Sequence, residues 1–203
     1  MIEYIFRVKG SDIFYTPETN GGGDHFFPEY LELVTQYYGR VHHIMEWCSG
    51  PGFIGYGLMA CNVCDRLTLL DKSKPAIDVA KKTAENSVLK HIDMIDTEKV
   101  YHRRVFPRTK IYHSDNCSVL PEDEKIDLVV GRPPNSGNWD AHRDFFNQLS
   151  TRLSDDGKIC LQLHSGGSDV DTFKPMVEEA GLRITAKMES IKFNDIYYME
   201  VQK

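Results

Sequence analysis

The sequence has no long apolar run, no excess of positive charge and no recognisable leader peptide. None of its segments approaches the roughly 20 consecutive apolar residues that span a bilayer. The start of the chain carries a glutamate and an arginine within its first residues, and it is too short and too charged for a signal peptide. A net charge of -6 argues against sequence-independent binding to nucleic acid. These absences predict a cytoplasmic protein without membrane association.

Cysteine is present without the pattern of a disulfide framework. The five cysteines are an odd number, so reduced thiols are expected. Cys61 and Cys64 form a single C-x-x-C pair, with no second pair and no His-x-x-x-His downstream. Because a closed zinc site needs four ligands, we predict that the protein binds no metal.

The order of apolar patterns predicts an α/β fold. The 203 residues are enough for one domain. Strand-like runs alternate with helix-periodic segments up to residue 180, which predicts a mostly parallel, doubly wound sheet. Two strands at 183–190 and 196–202 predict an antiparallel final strand. The other expected strands lie at about 41–47, 66–71, 110–113, 126–131 and 158–164, and the helices at about 53–62, from Ser73 to Val88, 140–153 and 171–180.

Two segments stand apart from this alternation. Residues 1–40 predict an N-terminal hairpin, a flexible segment at 16–24 and a helix, which together would act as a lid over substrate or cofactor ahead of a binding domain at 41–203. Residues 90–108 are polar and basic and are interpreted as an insertion with one helix. The basic residues of that insertion, including 102–104 and Arg108, raise the hypothesis of a small nucleic-acid patch, although a solvated surface is the commoner explanation.

The most informative stretch joins two strands through a glycine loop. An apolar run ends in Glu46, the glycines Gly50, Gly52 and Gly55 open a helical pattern, and a second apolar run ends in Asp71. Such glycines let a ligand approach the backbone, and an acid after the second strand accepts hydrogen bonds from a ribose diol. The pattern predicts a nucleoside site.

Two kinds of ligand that contain a nucleoside fit this loop, a dinucleotide and S-adenosylmethionine. Three features favour S-adenosylmethionine. Glu46 opposes a pyrophosphate but suits a cationic sulfonium or ammonium ligand. Strand three ends in His113-Ser-Asp-Asn116, which offers groups able to bind an adenine amino group. Strand four ends in Gly131-Arg-Pro-Pro134, a rigid turn where a methyl acceptor would lie. A nicotinamide-dependent oxidoreductase remains the alternative.

With these motifs, the chain resembles the class I S-adenosylmethionine-dependent methyltransferases. Glu46-Trp-Cys-Ser-Gly-Pro-Gly52 is similar to their acid-x-Gly-x-Gly-x-Gly motif, with Cys48 in place of the first glycine. The resemblance implies a Rossmann-like, seven-stranded sheet whose last strand is antiparallel, and S-adenosyl-L-methionine as the cofactor. The cofactor-binding residues that it implies are Glu46, Cys48, Gly50, Gly52, Asp71, Lys72, Ser114, Asp115 and Asn116.

The closer resemblance is to the branch whose fourth strand ends in Asn-Pro-Pro-Tyr or Asp-Pro-Pro-Tyr, which methylates amino groups of proteins and nucleic acids. Here the motif is altered to Arg132-Pro133-Pro134-Asn135. The Asn of that family orients the amino group by accepting its hydrogens, whereas a guanidinium has donors only. Asn135 also stands where that family has a Tyr, whose ring provides a surface for stacking. Trp139 or Phe26 could provide such a ring instead.

Several functions therefore stay open for the turn of Arg132, Pro133 and Pro134, the predicted catalytic residues. Arg132 would anchor an acceptor that carries a carboxylate or phosphate, or contact a protein or RNA nitrogen that backbone carbonyls orient. Alternatively, the protein binds the cofactor as an inactive partner subunit. A further alternative gives Arg132 a structural role only, in which its side chain forms an ion pair with Asp140. Near the same helix start, Asp140, His142 and Asp144 are weaker candidates for a base.

Overall fold

The computed structural model describes residues 3–92, 100–104, 106, 108–134, 139–164 and 170–203, with the backbone alone for 88–92 and 100–104. No helix among these residues is long and apolar enough to cross a membrane. In chain order the elements are β1 (Tyr4–Val8), β2 (Ser11–Tyr15), α1 (Gly23–Leu33), β3 (Val41–Trp47), α2 (Phe53–Ala60), β4 (Cys64–Asp71), α3 (Lys74–Asn86), β5 (Val88–Ile92), β6 (Val100–Arg104), β7 (Thr109–His113), β8 (Ile126–Gly131), α4 (Trp139–Ser150), β9 (Leu153–His164), α5 (Val170–Glu179), β10 (Arg183–Glu189) and β11 (Ile196–Gln202).

Seven strands form the central sheet in the order β10-β11-β9-β8-β3-β4-β7. β3 pairs in parallel with β4 on one side and with β8 on the other, and β8 pairs in parallel with β9. β11 lies antiparallel between β9 and β10. The prediction of a Rossmann-like, mostly parallel sheet with an antiparallel last strand is confirmed. The strand order changes direction between β3 and β8, which is where open α/β sheets bind ligands.

Helices cover both faces of this sheet, as a doubly wound fold requires. On one face α1, α2 and α3 contribute Tyr30, Tyr56 and Ala80 to a buried cluster. On the other face α4 and α5 contribute Phe145 and Phe173 to a second cluster. The Trp47 ring at the end of β3 stacks on the Phe145 ring, with centroids 3.7 Å apart. The sheet is therefore buried on both sides, which explains the continuous apolar runs in its strands.

The N-terminal helix α1 is fixed to the sheet by buried polar groups. The Tyr30 hydroxyl donates to the Gly131 carbonyl at 2.6 Å and accepts from the Gln162 backbone N–H at 3.0 Å. The Glu29 carboxylate, only 2% exposed, accepts hydrogen bonds from the Tyr198 hydroxyl at 2.7 Å and from the Ser190 hydroxyl. Because buried polar groups are costly unless paired, these bonds define one position for α1.

Two segments differ from what the sequence predicted. The insertion contains the antiparallel hairpin β5–β6 rather than a helix in its described part, because Val, Ile and Tyr residues favour a strand there. The segment 16–24, predicted to be flexible, forms a helical turn at Pro17–Thr19, which the Thr19 side chain stabilises by accepting from the Thr16 N–H at 3.0 Å. α1 begins directly after it, at Gly23.

Candidate functional site

The glycine loop turns sharply between β3 and α2 at the carboxyl edge of the sheet. Cys48, Gly50 and Gly52 have positive φ angles of 54°, 53° and 86°. Glycine adopts this conformation without cost, whereas Cys48 does so against its preference. A Cβ on Gly52 would also lie 2.7 Å from the Tyr56 ring and 2.8 Å from Leu69. The turn therefore depends on glycine at positions 50 and 52, and at position 52 also because a side chain would not fit.

Asp71, at the end of β4, joins this loop to the next helix. One of its carboxylate oxygens accepts from the Gly50 N–H at 2.7 Å, and the other accepts from the Ser73 N–H at 2.7 Å. Each carboxylate oxygen has a further lone pair. Asp71 is half-buried and lines the cavity described below, so those lone pairs are available to hydroxyl donors of a ligand.

Glu46, at the end of β3, is buried behind the loop. Its side chain is 2% exposed and accepts from the Gly55 N–H in the first turn of α2 at 2.8 Å. A Cβ on Gly55 would lie 2.8 Å from the same carboxylate oxygen, which explains the glycine there. The pKa of Glu46 is raised to about 8, mainly by burial; two backbone N–H donors act to lower it, and the negative charge of Asp71 acts to raise it.

A cavity of about 330 Å³ opens between the glycine loop, the end of β8 and the N-terminal segment. This volume lies at the lower end of the range for small-molecule sites. Both Glu46 and Asp71 line it, together with Arg132, Pro133 and Pro134. The other lining residues are Asn20, Gly21, Gly23, Phe26, Cys48, Ser49, Gly50, Pro51, Phe53 and Ile54. Two carboxylates and one guanidinium thus face a single space whose remaining wall is largely apolar.

A second, smaller cavity of about 30 Å³ lies on the other side of Asp71. Lys72, Ser114 and Asp115 line it, and His142 closes it from α4. Cys48, Asp71 and Pro134 line both cavities, so the two spaces meet at these residues. Asn116 lines neither; its side-chain oxygen accepts from the Ser118 N–H at 3.0 Å and its amide donates to Asp115 at 3.2 Å.

Arg132 extends from the end of β8 toward the N-terminal segment. Its Nη1 donates to the Gly21 carbonyl at 2.8 Å, and its Nη2 lies 3.4 Å from His164 Nε2. The guanidinium carbon lies 4.6 Å from the centre of the Phe26 ring. Burial lowers the pKa of Arg132 from its usual value. The alternative ion pair with Asp140 is not formed, because Asp140 pairs with Arg143 at 3.0 Å.

Trp139, His142 and Arg108, which the sequence also suggested, do not line the cavity of about 330 Å³. Trp139 contacts His142 and Phe173 edge-on, so Phe26 is the aromatic residue beside Arg132. His142 is 3% exposed, and Nδ1 has no hydrogen-bond partner among the described residues. Arg108 lines a groove at the opposite end of the strands, while residues 93–99 and the side chains of 102–104 lie outside the described part.

No group of three or more potential metal ligands occurs among the residues that the structure describes. All five cysteines are free thiols. The predicted absence of a metal site thus stays a prediction for the whole chain.

The sequence did not single out Asn20, Gly21 and Gly23 as residues of the site. The structure places them in the cavity wall opposite the glycine loop. A Cβ on Gly23 would lie 2.9 Å from the Phe53 side chain, so this contact needs a glycine. Three consecutive glycines after a helical turn were the available signal, but a flexible linker has the same composition.

No family model matches the chain. Residues of the chain are 28% identical, over 133 positions, to the release factor glutamine methyltransferase of Leptospira interrogans serogroup Icterohaemorrhagiae serovar Lai (strain 56601), a match that covers 64% of this chain and 38% of that protein. The chain therefore spans well under half the length of this curated relative.

Several solved structures are similar to this structure over most of the chain. A TehB-like S-adenosylmethionine-dependent methyltransferase from Corynebacterium glutamicum matches with a TM-score of 0.62 at 18% identity, over 86% of each chain. A glycopeptide N-methyltransferase in complex with S-adenosylmethionine matches with a TM-score of 0.65 at 13% identity, over 86% of this chain and 92% of that one. A putative RNA methyltransferase from Pyrococcus horikoshii matches with a TM-score of 0.60 at 16% identity, over 89% and 84%. The chain thus has the Rossmann-like α/β fold of class I S-adenosylmethionine-dependent methyltransferases.

Proposed function

We propose that this protein is an S-adenosylmethionine-dependent methyltransferase whose methyl acceptor is not yet identified. The observation that carries the proposal is one cavity at the switch point of the sheet, lined by Glu46, Asp71 and the Pro133-Pro134 turn. The fold shared with methyltransferases and the likeness to a release factor glutamine methyltransferase support it. When bound, the cofactor would supply an activated methyl group on a positively charged sulfur.

The residues of the site fit the charges and hydrogen-bonding groups of such a cofactor. Asp71, at the junction of the two cavities, would accept the ribose hydroxyls, and the loop of Cys48, Gly50 and Gly52 would lie against the ligand. Lys72, Ser114 and Asp115 of the smaller cavity would lie beside the adenine, and Asn116 would act through Asp115. Glu46 would face the cationic part of the ligand from the larger cavity.

The same charges weigh against a dinucleotide. A pyrophosphate over the glycine loop would lie close to the Asp71 carboxylate, and like charges at short range repel. Burial raises the pKa of Glu46 to about 8, so beside a pyrophosphate this carboxyl group would stay protonated and supply no favourable charge. A sulfonium or ammonium group gains from the same arrangement. This difference in sign is the reason to prefer a methyltransferase to a nicotinamide-dependent oxidoreductase.

The acceptor would lie beside Pro133 and Pro134, under the lid formed by part of residues 1–40. In-line methyl transfer mainly requires that donor and acceptor be aligned. The Tyr30 hydroxyl already binds the Gly131 carbonyl, so the carbonyls that follow in the turn are the candidates for orienting an amino group. Acceptors of this kind include a protein or RNA nitrogen, and a small anionic molecule is the other class.

Thermal unfolding with S-adenosylhomocysteine or NAD tests the proposal, because only a ligand of the folded state stabilises it. S-adenosylhomocysteine at about 100 times its Kd should add about 2.7 kcal/mol to the free energy of unfolding, and NAD should add nothing. Stabilisation by NAD alone would contradict the proposal. Incubation with labelled cofactor and separate pools of protein, RNA and small acids would then identify the acceptor class; binding without transfer to any pool would indicate an inactive partner subunit.

A further inference from the structure

The geometry points to Arg132 as the group that binds the carboxylate at the amino-acid end of the cofactor, rather than a group on the acceptor. This assignment rests on the proposed function and makes it more specific. Arg132 lies in the position that an acceptor-orienting residue would occupy in the Asn-Pro-Pro-Tyr branch. Its side chain, however, turns into the cavity wall beside the N-terminal segment.

The larger cavity carries charges of both signs. S-adenosylmethionine ends in an amino acid, which has an ammonium group and a carboxylate on the same carbon. Glu46 and Arg132 both line the larger cavity, and each is complementary to one of those two groups. Ser114 and Asp115 line the smaller cavity, beyond Asp71. A ligand with its ribose at Asp71 therefore has its nucleobase on one side and its amino acid on the side of Arg132.

The charge of Arg132 has no acidic partner in the described part of the chain. The guanidinium contacts a backbone carbonyl, a histidine nitrogen and an aromatic ring. His164 Nδ1 lies 3.4 Å from Asp195, so Nε2 can accept from Arg132 when the ring is neutral. A half-buried cation without a counter-ion is unfavourable. A carboxylate entering the cavity would supply that counter-ion.

Arg132 is also held in place before any ligand binds. The Gly21 carbonyl binds one end of the guanidinium, and the Phe26 ring packs against its face. A guanidinium has five N–H donors, so these contacts leave donors free for a carboxylate. A fixed side chain loses little conformational freedom on binding, which favours affinity.

Two ligands that differ at the amino-acid end provide the test. S-adenosylhomocysteine has the ammonium and carboxylate groups, whereas 5′-methylthioadenosine lacks both and keeps the nucleoside. Calorimetry on the full chain would compare wild type, Arg132→Gln, Arg132→Lys and the control Arg143→Gln, whose side chain pairs with Asp140 and Glu179 on the surface. The thermal midpoint of each ligand-free variant reports whether it folds.

We expect Arg132→Gln to weaken S-adenosylhomocysteine binding about 10-fold or more, since a charge-assisted hydrogen bond is lost. Binding of 5′-methylthioadenosine should stay unchanged, Arg132→Lys should fall between the two, and Arg143→Gln should match wild type. Equal affinities of Arg132→Gln and wild type for S-adenosylhomocysteine would overturn the assignment. So would a loss of affinity for both ligands, which would indicate that Arg132 only holds the N-terminal segment. If wild type binds neither ligand, the proposed function itself fails.

Discussion

Glu46 and Asp71 are both acids at strand ends, but their surroundings differ. Asp71 is half-buried and each of its oxygens already accepts one backbone N–H. Glu46 is buried in the wall of the larger cavity and has a pKa raised to about 8, mainly by burial. Asp71 therefore suits hydrogen bonding to neutral hydroxyls, whereas Glu46 gains most from a cation that keeps it ionised.

Asp71→Ala should weaken S-adenosylhomocysteine binding about 10-fold or more, because each charge-assisted bond to a ribose hydroxyl contributes roughly 1.5–3 kcal/mol. Calorimetry would measure the affinity. Asp78→Ala is the matched control, since Asp78 lies on the exposed side of α3 and pairs with Lys74. Unchanged affinity of Asp71→Ala would remove the ribose assignment.

Glu46 should make stability depend on pH. Its folded pKa of about 8 lies above the ordinary value of 4.5, so the native state binds the proton more tightly than the unfolded state does. The free energy of unfolding should therefore be highest below about pH 4.5 for this group, and decline as the pH rises through about 8.

Denaturant unfolding of Glu46→Gln at several pH values checks this effect. The amide oxygen of Gln can still accept from the Gly55 N–H but cannot ionise, so the variant should lose less stability than wild type between pH 5 and pH 8. Glu32→Gln, on an exposed position of α1, should follow wild type. A parallel pH dependence of Glu46→Gln and wild type would contradict the raised pKa.

Among the elements, α1 connects the N-terminal segment to the strands that carry the site. Tyr30 inserts its hydroxyl where β8 and β9 separate, beside Gly131, the residue directly before Arg132. A Cβ on Gly131 would lie 2.2 Å from the Trp47 carbonyl oxygen, so β3 and β8 approach closely at this level. The position of the Arg132-Pro133-Pro134 turn thus depends on a helix more than 100 residues earlier in the sequence.

Tyr30→Phe should lower the free energy of unfolding by about 1–3 kcal/mol, because the buried Gln162 N–H loses its acceptor. Denaturant titration would measure the loss. Tyr37→Phe, at a site 54% exposed, is the control and should change stability little. If both variants unfold like wild type, the Tyr30 hydroxyl does not fix α1 to the sheet.

The order of strands and helices along the chain could be predicted from the sequence because the sheet is buried on both faces. Continuous apolar runs followed by helical periodicity identify parallel strands, and the tail of two strands identified β10 and β11. The hairpin β5–β6 was mistaken for part of a helical insertion. Its charged residues at 90 and 102–104 hid a short strand pattern that antiparallel pairing of the two strands stabilises.

The sequence predicted only those residues of the candidate site that belong to one local motif. Glu46, Asp71 and the glycine loop follow each other along the chain, so their strand ends meet in any parallel sheet. The wall formed by Asn20, Gly21 and Phe26 depends on how α1 packs, and no local pattern specifies that packing. The contact between Arg132 and Gly21 joins positions 111 residues apart, which is why an ion pair with Asp140, only eight positions away, was the simpler expectation.

Truncation tests whether residues 41–203 fold without residues 1–40. Ile13, Phe27 and Tyr30 belong to the same buried cluster as Ile44 and Leu69 of the sheet. A chain truncated to 41–203 should therefore expose a large apolar surface and lose cooperative thermal unfolding, measured by near-ultraviolet circular dichroism. A truncated chain with the same thermal unfolding midpoint as wild type would show instead that residues 1–40 are not needed for folding.

The position of β11 affects how the protein is made on the ribosome. β10 is synthesised before β11, yet it reaches the rest of the sheet only through β11, the one strand it pairs with in the described chain. Until β11 leaves the exit tunnel, β9 and β10 each present an unsatisfied edge to solvent or to a chaperone. The sheet is thus closed by a late strand inserted between two earlier ones, so nascent chains stalled before residue 196 should be the most prone to aggregate.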